Sequence, residues 1–306
     1  MHWPTPGSEN LAPCGEQAKT QRPFDELPVQ KVFAGRLETR LDQLAVEEPL
    51  EIRLVYSSVG ERREHSISIT MRTPGHDPEL AAGFLLSEGI VRGSRDIEAI
   101  RHSGPTSETA RSHNVVRIEL REDLAFDLKR LERHFYTTSS CGVCGKSSLE
   151  ALEVFAAPLW SPDEFQIAAE AIHQLPDKLR EAQAVFDRTG GLHAAALFNA
   201  DCNLLEIRED VGRHNAVDKL LGSQLLAGKL PLSMCGILVS GRASFELVQK
   251  ALVAGIPLLA AVGAPSSLAV ELAKRYQMTL VGFVRGRRFN IYSGTQRIAI
   301  NAEVIP

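Results

Sequence analysis

The sequence lacks an excess of either charge. Its 34 lysine and arginine residues and 38 aspartate and glutamate residues leave a formal net charge of −4. The two signs are interspersed along the chain, whereas proteins whose main ligand is nucleic acid usually present a strongly basic field. The charge balance therefore argues against nucleic acid as the main partner, and any site for an anionic ligand has to be local.

Cysteine is also scarce, which excludes the disulfide framework of a small secreted protein. Only one close pair occurs among the five cysteines, which are Cys14, Cys141, Cys144, Cys202 and Cys235. Residues 1–26 lack the apolar core of a signal peptide, and their Pro, Gly, Ser and Gln content is typical of a disordered leader. We therefore expect a cytoplasmic protein.

Long uncharged segments are nearly absent. The one candidate for a membrane span, residues 251–270, carries no charge over a length that could cross a bilayer. Gly255, Pro257, Gly263 and Pro265 interrupt it. A buried strand, a turn and the start of a helix explain this segment better, so we expect no membrane contact.

Residues 27–135 are predicted to form a strand-rich N-terminal subdomain. Ile67, Ile69 and Met71 alternate with polar residues in the period of a half-buried strand, and residues 115–120 show a similar pattern. One helix is expected between them, with Asp77 as its N-cap and a proline at its first position. The subdomain should therefore consist of a sheet with one helix packed on it.

Residues 136–306 are predicted to form a catalytic α/β domain. Capping-box patterns at Ser147 and Ser161 predict two helices, the second ending near Pro176, and a further helix is expected to run to about Asp187. A hairpin is predicted at 193–199 and 204–207, followed by strands at 237–239, 258–262 and 279–283 and helices near 245–253 and 268–276. Strands that alternate with helices predict a mixed sheet covered by helices on both faces.

Three loops in this domain follow predicted strands, at residues 240–244, 263–267 and 285–288. Ligands of open α/β sheets bind outside the carboxyl ends of the strands. The first two loops lead into helix N-termini, whose free N–H groups suit an anion. The third contains three arginines around a glycine, a composition that suits a bidentate grip on a phosphate or a guanine edge.

The Cys141-Gly-Val-Cys144 motif has four interpretations: a structural zinc site, a dithiol redox centre, a catalytic zinc site, or a thiolate that carries sulfane sulfur. A structural zinc site needs four ligands, and the other cysteines are single and distant in sequence. A thioredoxin-like pair follows the first strand of a βαβ unit, whereas this pair follows the polar run 137–140. The zinc deaminase pattern requires Pro-Cys and His-x-Glu, and neither occurs.

A reactive thiolate is therefore the favoured interpretation. Cys144 lies two residues before Lys146 and three before Ser147, the predicted N-cap. The ammonium group and the helix dipole should both favour the thiolate on this loop. Gly142 and Gly145 leave the backbone free to bend, which would give a protein donor access to the sulfur.

Seven segments, in this order, resemble the formate dehydrogenase accessory sulfurtransferase (FdhD) family over roughly residues 30 to 300. They are MRTPGHD at 71–77, GFLLSEG at 83–89, SCGVCGK at 140–146, TGGLH at 189–193, EDVGRHN at 209–215, SGR at 240–242 and FVRGRR at 283–288. The resemblance implies a cytoplasmic homodimer with a cytidine-deaminase-like catalytic fold. It also implies that sulfur from a cysteine desulfurase is carried as a persulfide to the molybdenum (or tungsten) bis(molybdopterin guanine dinucleotide) cofactor, before this cofactor enters formate dehydrogenase.

The resemblance assigns roles to particular positions. Cys141 matches the persulfide-bearing cysteine of the family, and Cys144 matches its partner. The segment that contacts the cofactor corresponds to Phe283, Val284, Arg285, Gly286, Arg287 and Arg288, and the neighbouring Gly241 and Arg242 are expected to complete the site. No resident metal is predicted.

Two alternatives from other functional classes stay open. The first is a non-catalytic chaperone that binds and delivers the cofactor through the arginine loop. The second is a zinc-dependent hydrolase, related to the deaminases by fold, that would hold zinc through Cys141 and Cys144.

Overall fold

The computed structural model describes residues 22–58, 60–103, 114–124 and 165–300. Several sequence predictions lie outside these residues. They concern most of the disordered leader, the helix expected after Ser147, the start of the helix expected after Ser161, and the Cys141 and Cys144 motif itself. The predicted domain boundary near residue 136 also lies outside them.

The chain begins with a long two-stranded hairpin. Strands β1 (Phe24–Phe33) and β2 (Arg36–Ala45) pair antiparallel over their whole length. Ala34 and Gly35 connect them with φ angles of 49° and 77°, as a two-residue type I′ turn requires. The predicted leader boundary at residue 27 therefore falls inside β1, and regular structure begins three residues earlier.

The N-terminal subdomain contains a four-stranded sheet in the order β4-β3-β6-β5. Its strands are β3 (Glu48–Ser58), β4 (Glu61–Arg72), β5 (Ile97–His102) and β6 (Val115–Leu120). Helix α1 (Asp77–Ser87) follows β4. The alternation predicted for residues 115–120 is confirmed: Val116, Ile118 and Leu120 of β6 are fully buried, and the residues between them are partly exposed.

The apolar face predicted for β4 was wrong. Ile67 is buried, but Ile69 and Met71 are 68% and 47% exposed, because a register shift opposite Ile52 and Arg53 places Thr70 rather than its neighbours across from the buried Leu50.

The start of α1 differs from the prediction. His76, with a φ of 59°, is the N-cap, and Asp77 is the first helical residue. The Asp77 carboxylate accepts hydrogen bonds from Arg72 Nε at 3.0 Å and Nη2 at 2.9 Å, and both side chains are buried. The cap prediction was wrong because a buried carboxylate was needed to neutralise Arg72, a demand that local helix signals do not reveal.

The C-terminal domain, predicted from the sequence to be catalytic, is built on a six-stranded sheet in the order β13-β12-β11-β10-β8-β9. Its strands are β8 (His193–Phe198), β9 (Leu204–Asp210), β10 (Gly236–Val239), β11 (Leu258–Ala261), β12 (Thr279–Arg285) and β13 (Arg288–Ser293). The β10–β11 and β11–β12 pairs are parallel, and the other pairs are antiparallel. The mixed sheet predicted from the alternating pattern is confirmed.

Helices cover both faces of this sheet, as predicted. Helices α5 (Arg213–Leu226), α6 (Phe245–Val253) and α7 (Ser267–Arg275) contribute to one hydrophobic core, which also includes α1 and the N-terminal sheet. Helices α2 (Ala169–His173), α3 (Leu175–Ala182) and α4 (Ala184–Thr189) lie on the opposite side, where a second core contains Leu175, Leu179 and the outward side chains of the strands.

The segment before the large sheet corrects the predicted helix that was to end near Pro176. Residues 167–168 form β7 (Ile167–Ala168), which pairs with β14 (Ile298–Ala299) near the C-terminus. Pro176 lies in the first turn of α3 rather than at a helix end. This is the position in which proline is tolerated, because the N–H that it lacks has no partner within the helix.

The two subdomains meet where α1 crosses α5. A Cβ atom on Gly83 would lie 1.9 Å from the carbonyl oxygen of Asp218, and one on Gly222 would lie 1.8 Å from that of Glu79. Only glycine permits this approach of the two backbones. Across the same contact, Ser87 Oγ of α1 donates to the Asp218 carboxylate at 2.7 Å, and Lys250 Nζ of α6 donates to both oxygens of this carboxylate, at 2.7 and 2.8 Å.

Within the described residues, no helix is both long and apolar enough to cross a membrane. The uncharged stretch at 251–270 instead forms the end of α6, strand β11 and the beginning of α7. This is the strand, turn and helix that the sequence predicted there.

Candidate functional site at the strand ends

Three loops at one edge of the large sheet are joined by backbone hydrogen bonds. The Gly263 N–H donates to the Gly241 carbonyl at 2.9 Å, and the Ala243 N–H donates to the Ala264 carbonyl at 3.1 Å. The Phe283 N–H in turn donates to the Gly263 carbonyl at 3.0 Å. The loops that follow β10, β11 and β12 therefore form one continuous rim, as the parallel arrangement of these strands predicted.

Glycines make this close assembly possible. A Cβ atom on Gly263 would lie 3.0 Å from the Gly241 carbonyl oxygen, and one on Gly282 would lie 2.9 Å from Pro265 Cδ. These distances are shorter than ordinary van der Waals contact. A larger side chain at either position would separate the loops.

The arginine loop is the tight turn between β12 and β13. Pairing of the two strands is irregular between Gly282 and Arg285, and Phe283 adopts a φ of 54° with 40% of its side chain exposed. Gly286 supplies the positive φ of the turn. An open cavity of about 540 Å³ is lined by Arg285, Gly286, Arg287 and Arg288.

The arginines of this turn are exposed and carry no neutralising partner among the described residues. Elsewhere in the structure most arginines pair with carboxylates, for example Arg208 with Glu79 and Arg117 with Glu64. Unpaired guanidinium groups around a turn create a local positive field. The turn can therefore bind a phosphate through charge-assisted hydrogen bonds.

A second cavity, of about 440 Å³, lies at the same edge. Helices α3 and α4, the start of β8 and the ends of β10 and β11 all contribute to it. Leu179, Phe186, Leu192 and Val262 provide apolar walls, and the polar lining includes Arg180, Gln183, His193 and Ser240.

Beside this cavity lies a cluster of polar residues at the start of α5 and α6. His214 Nε2 is 2.8 Å from a carboxylate oxygen of Glu246 and 3.3 Å from Ser244 Oγ, and the hydrogen bond with His214 lowers the pKa of Glu246. Burial lowers the pKa of His193, and the positive charges of Arg213 and His214 lower it further. The environment of His193 therefore favours the neutral imidazole.

The two cysteines in the described part of the chain are not activated. Cys202 is completely buried, and burial raises the pKa of its thiol to about 12. Burial also raises the pKa of Cys235. Since the thiolate is the reactive form, neither side chain is suited to nucleophilic chemistry.

The described residues contain no group of three or more histidine, cysteine, aspartate or glutamate side chains placed to hold a metal ion. Because Cys141 and Cys144 lie outside these residues, this finding does not bear on zinc bound through them. At the strand-end site itself, the groups present are suited to anions and to neutral polar ligands.

Comparison with known proteins identifies the family. A model of the FdhD/NarQ family matches residues 45–299. The chain belongs to the FdhD/NarQ family. Its curated relatives include the sulfur carrier protein FdhD of Streptomyces coelicolor, 51% identical over 90% of this chain and 96% of the relative. The sulfur carrier protein FdhD of Saccharolobus solfataricus is 42% identical over 84% of this chain and 91% of the relative.

A solved structure agrees with the assignment. A crystal structure from Desulfotalea psychrophila, provisionally named as a formate dehydrogenase accessory protein, aligns with a TM-score of 0.68 and 26% identity. The alignment covers 91% of this chain and 100% of the other. The FdhD resemblance and the mixed α/β fold predicted from the sequence are thus confirmed, and the family assignment supports a sulfur-carrier role.

Two of the FdhD-like sequence segments, at 71–77 and 209–215, contact each other through the side chain of Asp210. This carboxylate, fully buried at the end of β9, accepts hydrogen bonds from the Thr73 and Gly212 N–H groups at 3.1 and 2.8 Å. Asn215 Nδ2 and Lys219 Nζ also contact it, at 3.1 and 2.7 Å. The segments at 71–77 and 209–215 therefore fix the start of α5 beside the site.

The predicted cofactor residues of this FdhD-family chain lie at one edge of the sheet. Gly241 and Arg242 lie on the rim, and Arg242 is exposed, as are the three arginines of the turn. The side chain of Val284 is fully buried in the second core, so it is unavailable to a ligand. Cys141 and Cys144 are outside the described residues, and their distance from the rim is not defined.

Among the polar residues that line the second cavity, Arg180 and Gln183 were not singled out by the sequence. No sequence motif surrounds Gln183. It is buried at the junction of α3 and α4, in a region where the sequence predicted a single helix, so the sequence did not reveal this junction. His193 ends the FdhD-like segment at 189–193, but the sequence did not indicate its neighbours. It begins β8, paired with Asp210 of β9, and its Nδ1 lies 3.5 Å from where a Cβ atom of Gly241 would be.

Proposed function

We propose that this FdhD-family chain is a sulfurtransferase that accepts sulfur from a cysteine desulfurase and passes it to a molybdenum or tungsten bis(molybdopterin guanine dinucleotide) cofactor. The acceptor is a transient substrate of the protein, and its final destination is formate dehydrogenase. The observation that best supports this proposal is the cluster of unpaired arginines on a glycine-built rim, which suits the phosphates of such a dinucleotide.

In the first step the Cys141 thiolate attacks the terminal sulfur of the desulfurase persulfide. A bond forms between this sulfur and Cys141 Sγ, the bond to the desulfurase cysteine breaks, and that cysteine leaves as a thiolate. The transferred atom is still sulfane sulfur and needs two electrons to become sulfide. Attack of the Cys144 thiolate on Cys141 Sγ supplies them, because it forms a Cys141–Cys144 disulfide and releases sulfide to the acceptor. A dithiol reductant must then restore the pair.

The described cysteines support the choice of Cys141 and Cys144 indirectly. Cys202 and Cys235 are held in environments that raise their pKa. The remaining cysteines are Cys14, in the predicted leader, and the Cys141–Cys144 pair. Only this pair offers two adjacent thiols and flanking glycines for a transfer relay.

The proposed cellular setting follows from the same role. Desulfurase and formate dehydrogenase are the expected protein partners, the cytoplasm is the expected compartment, and a homodimer is the expected assembly. The exposed apolar face of the β1–β2 hairpin supports the last expectation, because monomeric proteins rarely leave such surfaces uncovered.

The cofactor site is tested by nucleotide binding. We expect Arg285→Ala and Arg288→Ala each to weaken binding of GDP, a surrogate for the guanine-nucleotide end, by about tenfold, since each removes a charge-assisted hydrogen bond. Isothermal titration calorimetry on the full chain measures this. Arg95→Ala, which removes an exposed arginine in the N-terminal subdomain, is the matched control. Unchanged GDP affinity in both turn variants would place the ligand elsewhere.

A further inference from the structure

Gln183 is a buried amide whose donor has no partner. The residue is 5% exposed, and Nε2 makes no hydrogen bond with any group in the part of the chain that the structure describes. An unsatisfied buried donor costs free energy and is rare in native proteins. Gln183 also lines the 440 Å³ cavity. A ligand that enters this cavity would give the amide the partner that it lacks.

The Gln183 backbone is firmly held. Its N–H donates to the Arg180 carbonyl at 3.4 Å at the end of α3, and its carbonyl accepts from the Asp187 N–H at 3.0 Å at the start of α4. The Glu209 carboxylate of β9 accepts the N–H groups of Val185 and Phe186, at 3.1 and 2.9 Å. The unpaired amide is therefore carried by a fixed junction of two helices rather than by a mobile loop.

A second donor lines the same cavity, at the start of the loop that follows β10. Ser240 Oγ accepts the Ala194 N–H at 2.9 Å, which leaves its hydroxyl hydrogen free for a ligand. The side chains of Leu179, Phe186 and Val262 also line the cavity and make its walls largely apolar. Two donors in a largely apolar cavity suit a flat ring that carries hydrogen-bond acceptors.

The cavity is not built for an anion. Burial lowers the pKa of His193 and so disfavours a positive charge on its ring. Arg180, a cationic residue that lines this cavity, stacks over the Phe186 ring at 4.5 Å and pairs with Asp187 at 2.6 Å. The positive charge of Arg180 is therefore neutralised by Asp187, whereas the exposed arginines of the β12–β13 turn have no carboxylate partner among the described residues.

We propose that this cavity binds the uncharged heteroaromatic ring of the ligand whose phosphates lie at the arginine turn. The ring class is a fused pyrimidinone, common to guanine and pterin, and its carbonyl oxygen accepts from Gln183 Nε2. Gln183 is thereby a specificity-determining residue. This inference rests on the proposed function, because the acceptor cofactor carries both kinds of ring together with phosphates.

The sheet places the two subsites within reach of one nucleotide. Ser240 follows β10 and the arginine turn follows β12, and β11 lies between these strands. Neighbouring strands are about 4.8 Å apart, so two spacings amount to about 10 Å. A ring in the cavity can therefore be joined through a sugar to phosphates at the turn.

The test compares uncharged ring probes with a phosphate probe on the full chain. Guanosine, 6-hydroxymethylpterin and inorganic pyrophosphate are titrated by calorimetry into the wild type and into Gln183→Met, which keeps the side-chain length but removes the amide. We expect the variant to bind the preferred ring about tenfold more weakly and pyrophosphate as well as the wild type does. Gln249→Met, which replaces another buried glutamine on α6, should bind both probes normally.

A second readout shows that the variant is folded and tests the unpaired donor itself. Without ligand, Gln183→Met should melt at the same temperature as the wild type or higher, because it removes an unsatisfied buried group. The gain in melting temperature that the ring probe gives the wild type should be largely lost in the variant.

The outcomes separate the ligand sources and the two proposals. Weakened binding of guanosine alone assigns the cavity to the guanine end, and weakened binding of the pterin alone assigns it to the pterin end; either supports the inference. Wild-type affinity for both rings in Gln183→Met, or no binding of either ring to the wild type, overturns it. Sulfur loading of Cys141 is measured separately, so its failure would refute the sulfurtransferase proposal while ring binding stood.

Discussion

Glu79 is an ion-pair centre between the two subdomains. Burial alone would raise the pKa of this carboxyl, but hydrogen bonds from His76 and Arg208 outweigh burial and lower the pKa to about 2 from its ordinary 4.5. Arg208 Nη2 donates from β9 to Glu79 of α1 at 2.9 Å. The pair therefore joins the edge of the large sheet to the helix of the N-terminal subdomain.

This arrangement predicts a pH dependence of stability. Because the pKa of Glu79 is depressed in the folded state, its contribution is fully present above about pH 4.5 and is lost as the pH falls towards 2. We expect Glu79→Gln to lower the free energy of unfolding by about 1 kcal/mol at pH 6, after allowance for screening by water. Urea unfolding at pH 6 and pH 3 measures this. An undiminished difference at pH 3 would contradict the assignment.

At the scale of single residues, the sequence predicted exposed polar groups better than buried ones. The arginine turn could be recognised from its composition and its place after a strand. The pairing of Asp77 with Arg72 and the burial of Gln183 could not be recognised. Arg72 and Asp77 are only five residues apart, but their burial, like that of Gln183, arises only when the surrounding elements pack.

The crossing of α1 and α5 determines how the subdomains join. At this contact the backbones approach so closely that a Cβ atom on Gly222 would overlap the Glu79 carbonyl and would lie 2.7 Å from the Gly83 nitrogen. These are backbone atoms, which cannot rotate aside. The helices themselves would have to separate.

Gly222→Ala should therefore destabilise the protein, although alanine favours helix more than glycine does. We expect a loss of about 3 kcal/mol in the free energy of unfolding, because overpacking against backbone outweighs the gain in propensity. Chemical denaturation measures the change. Gly93→Ala is the control, since nothing lies within 4 Å of the added methyl group. Equal stability of both variants and the wild type would show that the helices can separate at no cost.

At the scale of elements, the sequence predicted most strands and helices of the catalytic domain. Helix α6 has the bounds that the pattern indicated, and the hairpin of β8 and β9 was expected. The region of α3 and α4 was predicted less well. The Gln183 backbone leaves the helical conformation there, with a ψ of 76°. Two short helices therefore replace the single helix expected, although no glycine or proline at this position signals the break.

The β1–β2 hairpin is the feature of the whole molecule that most needs a partner. Val32, Leu37 and Leu41 are 68%, 67% and 71% exposed, and the strand register places them on one face. The base of the same face contacts α4, where the Arg188 guanidinium lies 3.7 Å above the Phe24 ring. An isolated two-stranded hairpin of this kind is only marginally stable in water.

We expect this face to be covered by a second copy of the chain. Leu37→Lys combined with Leu41→Lys should shift the protein from dimer to monomer in light scattering coupled to size-exclusion chromatography. The control is Leu205→Lys, which replaces an exposed leucine of β9 outside the hairpin. A wild-type monomer, or an unchanged dimer in the hairpin variant, would contradict this expectation.

At the whole-molecule scale, the mixed sheet and the gathering of ligand loops at one edge were predictable from alternating strands and helices. The relation between the subdomains was not predictable, because it depends on buried glycines and on an ion pair between Glu79 and Arg208, which are distant in sequence. The sulfur-carrier role was indicated by the order of the seven FdhD-like segments along the chain, and no single residue or element would have indicated it.

The most direct test of the account is to load the protein with sulfur and to follow its transfer. After incubation with a cysteine desulfurase and L-cysteine, mass spectrometry should find one added sulfur atom on the peptide that contains Cys141 and none on those with Cys202 or Cys235. Cys141→Ala should abolish maturation of formate dehydrogenase, whereas Cys235→Ala should not. Normal maturation in the Cys141→Ala variant, or in a variant lacking both Cys141 and Cys144, would contradict the account and favour simple cofactor delivery.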